Sequence, residues 1–114
     1  MIYYIDIDGT ICDQEIGRPY NLSQPFVERI AHFNDLYDKG HEIHYYTARG
    51  SQSGIDYQED TEKQLESWGV KYTTARVGKP HYDIWIDDKA QNVDAYFLNE
   101  YNKDQAEVDS VVNL

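Results

Sequence analysis

The sequence predicts an α/β fold, a parallel sheet with helices on both faces and no separate cap domain. Three observations predict it. Short apolar runs alternate with longer segments of helical periodicity, the pattern of βαβ units. A chain of 114 residues suffices for one small sheet and a few helices, with little room for a second lobe. Several of the runs end in polar residues, which belong together on one edge of a parallel sheet, where ligands bind.

The first run, IYYIDI at residues 2–7, reads as a buried strand bounded by Asp and Gly. CDQEIGRPYNL, with Gly17 and Pro19, reads as a loop or small hairpin. In SQPFVERIAHFNDLYDKG, Phe26, Ile30, Phe33 and Tyr37 recur at helical spacing. Ser23 is its expected cap, Pro25 suits its first turn and Gly40 can end it. HEIHYYTARG is a second strand, ending at Thr47. IDYQEDTEKQLESWG is a very polar helix with Tyr57, Thr61, Leu65 and Trp68 near one face and Gly69 as its stop. VKYTTARV is a third strand, and GKPHY a turn, because Pro80 biases Lys79 away from helix. DIWIDD is a fourth strand, again closing on paired aspartates, and AQNVDAYFLNEY a third helix. The polar tail beyond is expected to fray. No repeat or linker interrupts the series, so residues 1–114 read as a single domain.

Composition narrows the partners. Ten Lys and Arg against twenty-one Asp and Glu give a net charge of -11, which disfavours nucleic-acid backbones and favours solubility. The lone cysteine, Cys12, allows no internal disulfide and fits a reducing, cytoplasmic setting. No signal peptide or membrane-spanning run is visible, so no membrane partner is expected.

The opening DIDGT is the most informative stretch. An EF-hand reading fails, because counting from Asp6 puts Ile11 where Gly is needed and Gly17 where Glu is needed. Taken alone, D-x-D is also a common polar strand exit. The ordered set Asp6, Asp8, Thr47, Lys79 and Asp87–Asp88, each at a strand end or just before one, argues for more.

With DIDGT, YYTARG, GKP and IWIDD in that order, the chain resembles the haloacid dehalogenase (HAD) superfamily phosphatases. The likeness is strongest to small cap-less, capsular-polysaccharide-type members, and IDD is similar to the deoxyribonucleotidases. The resemblance implies a three-layer Rossmann-like, HAD-like sheet and a Mg²⁺-dependent phosphomonoesterase working through an aspartyl-phosphate. It implies Asp6 as nucleophile and Asp8 as general acid and base, two roles that need different environments. Gly9 lets the chain turn so that backbone amides face the phosphate. Thr10 is expected to brace the loop through its hydroxyl. Thr47, with the amides of Ala48 and Arg49 after it, is expected to hold a phosphoryl oxygen, and Lys79 to add positive charge. Asp6, the Asp8 carbonyl and Asp88, backed by Asp87, are the expected Mg²⁺ ligands.

Neither interval between motifs has room for a cap, so an open site is expected, closed at most by homo-oligomerisation. Arg18, Tyr20, Arg49 and His81 are the candidate substrate contacts. A small phosphorylated metabolite, a sugar phosphate or a nucleotide, is the leading substrate. The alternatives are a polynucleotide end or phosphoprotein, or a metal- and phosphate-binding protein without turnover. Transfer to an acceptor other than water uses the same chemistry.

Overall fold

The computed structural model describes residues 1–112, with side chains to residue 105. The chain divides into two compact units, Met1–Tyr82 and Asp83–Leu114. In the first unit, three strands, β1 (Ile2–Ile5), β2 (Glu42–Thr47) and β3 (Thr74–Val77), form a parallel sheet in the order β1-β2-β3. Ile5 pairs with Tyr45, which pairs in turn with Ala75, so one row of side chains crosses the sheet. Ile5, Ile43, Tyr45, Thr47 and Ala75 are all buried on that side.

Two helices make the crossovers, α1 (Val27–Asp38) and α2 (Gln58–Ser67). Parallel crossovers are right-handed, and the sheet advances in one direction from β1 to β3, so both helices lie on the same face. Helices on both faces, expected from the sequence, are therefore not reached within this unit. Helix α1 buries Ile30 and Phe33, and α2 buries Thr61 and Leu65. Each fully buried Leu or Phe contributes about 1.5–3 kcal/mol. Gly40 (φ +95°) and Gly69 (φ +70°) end the two helices in the left-handed conformation, as expected.

Other expectations need correction. Ser23 does not cap α1: Pro25 bridges to Cys12, which keeps the chain extended, so Phe26 is the N-cap and the helix starts at Val27. β1 ends at Ile5, so Asp6 is the first residue past the strand. Expected to be buried, β1 is buried only at Ile5, with Ile2 and Tyr4 exposed on the sheet's uncovered face.

In the second unit, α3 runs over Val93–Val112, well beyond the expected frayed end. DIWIDD forms no strand, and Ile84, Trp85 and Ile86 are exposed. A strand needs a ladder partner, and the described residues of this unit supply only a helix. Among the described residues, no helix is long and apolar enough to cross a membrane.

Candidate functional site

Parallel strands bring their carboxyl ends to one edge, and hydrogen bonds tie those ends together. Beyond β1 the chain turns at Gly9 (φ +83°), where the amides of Thr10 and Ile11 both donate to the Ile7 carbonyl, each at 3.0 Å. At the end of β2, the Thr47 hydroxyl lies 3.4 Å from Asp8 Oδ2 and accepts the Arg49 amide at 3.2 Å. Beyond β3, the Lys79 amide donates to the Thr47 carbonyl at 3.1 Å. Asp8, Thr47 and Lys79 are thus fixed to one another by bonds that cross the sheet.

Asp6 and Asp8 occupy different environments, as opposite roles require. Asp6 remains partly exposed and pairs with Lys79, whose Nζ lies 3.5 Å from its Oδ1. Burial pushes its carboxyl above the usual range, and Asp8 adds to this, while Lys79 opposes it. Lys79 Nζ also sits 5.2 Å from the centre of the Tyr82 ring.

Asp8 is held by Arg49. Arg49 Nε donates to Oδ2 at 2.9 Å and Nη2 to Oδ1 at 2.8 Å, a bidentate pair with the guanidinium almost wholly buried. Nη1 donates to Gln64 Oε1 at 2.7 Å and lies 3.4 Å from the Thr61 hydroxyl, and the guanidinium carbon sits 4.7 Å from the Tyr20 ring centre. The Cys12 thiol lies 3.6 Å from Asp8 Oδ1.

The structure therefore brings Asp6, Asp8, Gly9, Thr47, Ala48, Arg49 and Lys79 to one edge, but Arg49 differs from its expected part. Its side chain is committed to Asp8 and α2, so it positions a carboxylate. Thr10 braces the loop through its backbone, since its carbonyl accepts Arg29 Nη1 at 3.1 Å. Arg18 pairs with Asp13 and Glu15. His81 is exposed, and among the described residues nothing ties it to the cluster. Thr61, read from the sequence only as part of a helix face, and Gln64, not singled out, were missed as partners of Arg49; the signal was a buried Thr61 on the face of Leu65.

Asp87 and Asp88 belong to the second unit. Asp87 accepts the amides of Lys89 and Ala90, which together with the Trp85 indole hold its carboxyl below the usual range. Asp88 is exposed. Among the described residues, no three acidic, His or Cys side chains gather as a cation cage.

Tyr20 and Tyr57 meet edge to face, 5.0 Å apart, beside a cavity of about 890 Å³ between residues 17–21 and α2. Arg49 lines it, so the cavity adjoins the partner of Asp8.

The chain is similar to a solved Vibrio cholerae structure, a structural-genomics target, with 25% identity and a TM-score of 0.73 over 83% of this chain and 85% of that one. That likeness supports the α/β fold. No family model matches the chain, and no curated protein matches it.

Proposed function

We propose that the chain is a Mg²⁺-dependent phosphomonoesterase of the HAD type, acting on a small phosphorylated metabolite, a sugar phosphate or a nucleotide. The observation that carries the reading is the Asp6–Lys79 pair at the sheet edge, with Asp8 fixed beside it by Thr47 and Arg49.

The residues fit a hard dication. Asp6 offers a partly exposed oxygen donor whose negative form is disfavoured by burial, a cost that a cation relieves. Asp6 and the Asp8 carbonyl are its proposed ligands at this edge. Bound there, Mg²⁺ supplies the positive charge that lets a carboxylate and a phosphate dianion share one site.

An Asp6 oxygen attacks phosphorus, the bond to the leaving oxygen breaks, and Asp8 gives that oxygen its proton. Asp8 then takes a proton from the water that attacks the aspartyl-phosphate, which frees phosphate and restores Asp6. Lys79 holds the transferring oxygens, and the Thr47 hydroxyl with the amides after it orients them. A protonated carboxyl oxygen is a poorer acceptor than a carboxylate, so one Arg49 bond weakens whenever Asp8 carries its proton.

A second reading, a phosphate-binding protein without turnover, draws on the same clamp, because Arg49 occupies both Asp8 oxygens. The test is p-nitrophenyl phosphate hydrolysis with and without Mg²⁺, wild type beside Asp6→Asn. Metal-dependent turnover that falls by roughly 10⁴-fold or more in the variant supports the enzyme. Folded wild-type protein that turns over neither this ester nor a panel of metabolite phosphates supports the binder. Asp6→Asn is also expected to weaken Mg²⁺ binding by calorimetry.

A further inference from the structure

We propose that Gln64 is a positioning residue for the acid–base step at Asp8, a neutral relay that fixes the Arg49 guanidinium without competing for its charge. This rests on the phosphomonoesterase reading and extends its machinery to α2.

Asp8 holds Arg49 along one edge only, through Nε and Nη2, and a guanidinium gripped on one edge can still swing about it. Contacts on its other sides stop the swing. Nη1 donates to Gln64 Oε1 at 2.7 Å and lies 3.4 Å from the Thr61 hydroxyl, and the Tyr20 ring centre lies 4.7 Å from the guanidinium carbon. Gln64 governs the first and the last of these. Its Nε2 donates to the Tyr20 carbonyl at 2.7 Å, so the amide that receives Arg49 also fixes the residue whose ring covers Arg49. Arg49, Gln64 and Tyr20 thus close a triangle. The Thr61 contact is too long to hold the guanidinium alone.

The amide has one orientation there. Arg49 only donates and the Tyr20 carbonyl only accepts, so a turned amide would set donor against donor and acceptor against acceptor. Its neutrality matters as much. Glu59, Asp60, Glu62 and Glu66 make α2 acidic, yet the position facing Arg49 carries an amide. A carboxylate at that position would offer Arg49 a second anion and draw the guanidinium away from Asp8. It would also face the Tyr20 carbonyl with another acceptor. Gln64 supplies the anchor and leaves the charge to Asp8. Turnover depends on that anchor because Asp8 must aim a proton at the leaving oxygen and then take one from water. Binding of the phosphoryl group does not, since Lys79 and Thr47 hold its oxygens.

The test measures kcat and KM for p-nitrophenyl phosphate with Mg²⁺ in wild type, Gln64→Leu and Gln64→Glu. Leu65→Val is the control, an apolar core residue of α2 that makes none of these bonds. The cavity of about 890 Å³ beside Gln64 and Arg49 admits water to Nη1 once the amide is gone, so Gln64→Leu strands no donor. Gln64→Leu is expected to lower kcat by about tenfold or more, with KM within about twofold of wild type. Leu65→Val is expected to lose stability and keep kcat. Gln64→Glu is expected to stay below the wild-type kcat, and it carries the test if Gln64→Leu does not fold. Independently of turnover, the Arg49 Nε–H is followed by ¹⁵N NMR and identified by its loss in Arg49→Lys. Its bond to Asp8 should protect it from solvent exchange in wild type, and Gln64→Leu and Gln64→Glu should both exchange it faster. Wild-type kcat in either Gln64 variant, a loss carried by KM, or an equal loss of kcat in Leu65→Val overturns the relay. An Nε–H exchange rate unchanged by the Gln64 variants, or raised as much by Leu65→Val, overturns it as well. Absence of all turnover while the Gln64 variants alone free the Arg49 Nε–H overturns only the phosphatase reading and leaves Gln64 as the anchor of the Asp8 clamp.

Discussion

Arg49 grips both oxygens of Asp8 from across the sheet edge, and its remaining nitrogen anchors on Gln64 of α2. The pair is nearly excluded from water, so removing one partner leaves a buried charge unmatched. Arg49→Met is expected to destabilise the fold by about 3–5 kcal/mol, read as a lower urea midpoint. Arg49→Lys keeps the charge but loses the bidentate fork and the two bonds to α2, and is expected to recover less than half of that loss. A lysine variant as stable as wild type would show that charge alone, without the fork, holds Asp8.

Immediately after Arg49 the backbone enters a conformation that only glycine tolerates. Gly50 has φ +83°, and a Cβ there would lie 2.0 Å from the Ile55 carbonyl oxygen. Gly54, at φ +75°, has open space around it. Gly54→Ala is expected to cost about 1–2 kcal/mol from backbone strain. Gly50→Ala should cost more, with displacement of the loop that carries the Thr47–Arg49 turn. Denaturant melts of the two variants separate strain from collision, and equal losses would refute the collision.

Much of this edge was legible beforehand. β1, β2 and both crossover helices follow from periodicity and from Gly40 and Gly69, because those signals are local. The gathering of Asp6, Asp8, Thr47 and Lys79 followed from parallel strands sharing an edge. What failed depended on partners distant in sequence. DIWIDD has the residues of a strand, yet strand formation is settled by a ladder neighbour, and no propensity reports one. Arg49 looked like a substrate contact because nothing in YYTARG reveals that Thr61 and Gln64 await it more than ten residues later.

The loop leading out of the first motif is pinned by Asp13, which accepts the Gln24 amide at 2.9 Å and pairs with Arg18. Those bonds, the Gln24 amide first, hold its carboxyl below the usual value of 3.8. The folded protein therefore binds a proton at Asp13 less readily than the unfolded chain. The resulting stability is present above that value and is lost as pH falls through the lowered one. Asp13→Asn is expected to be less stable than wild type at neutral pH, with the gap narrowing as pH falls below 3.8. A gap that stays constant down the acid series would mean that the carboxylate's charge contributes nothing to the loop.

Cys12 sits behind the same loop, fully buried, with its thiol 3.6 Å from both the Ile7 carbonyl and Asp8 Oδ1. Burial, reinforced by the Asp8 charge, pushes the thiol up to about 12. The thiolate is the reactive form, so at pH 8 the folded protein offers almost none of it. An aromatic disulfide reagent is expected to label native Cys12 only as fast as the protein opens, and to label it at once in denaturant. Arg49→Met, by loosening Asp8, should speed native labelling in proportion to its loss of stability if opening is in fast equilibrium. Rapid labelling of the wild type at a rate that tracks reagent concentration and pH, with no response to Arg49→Met, would place the thiol at the surface and remove it from the wall behind Asp8.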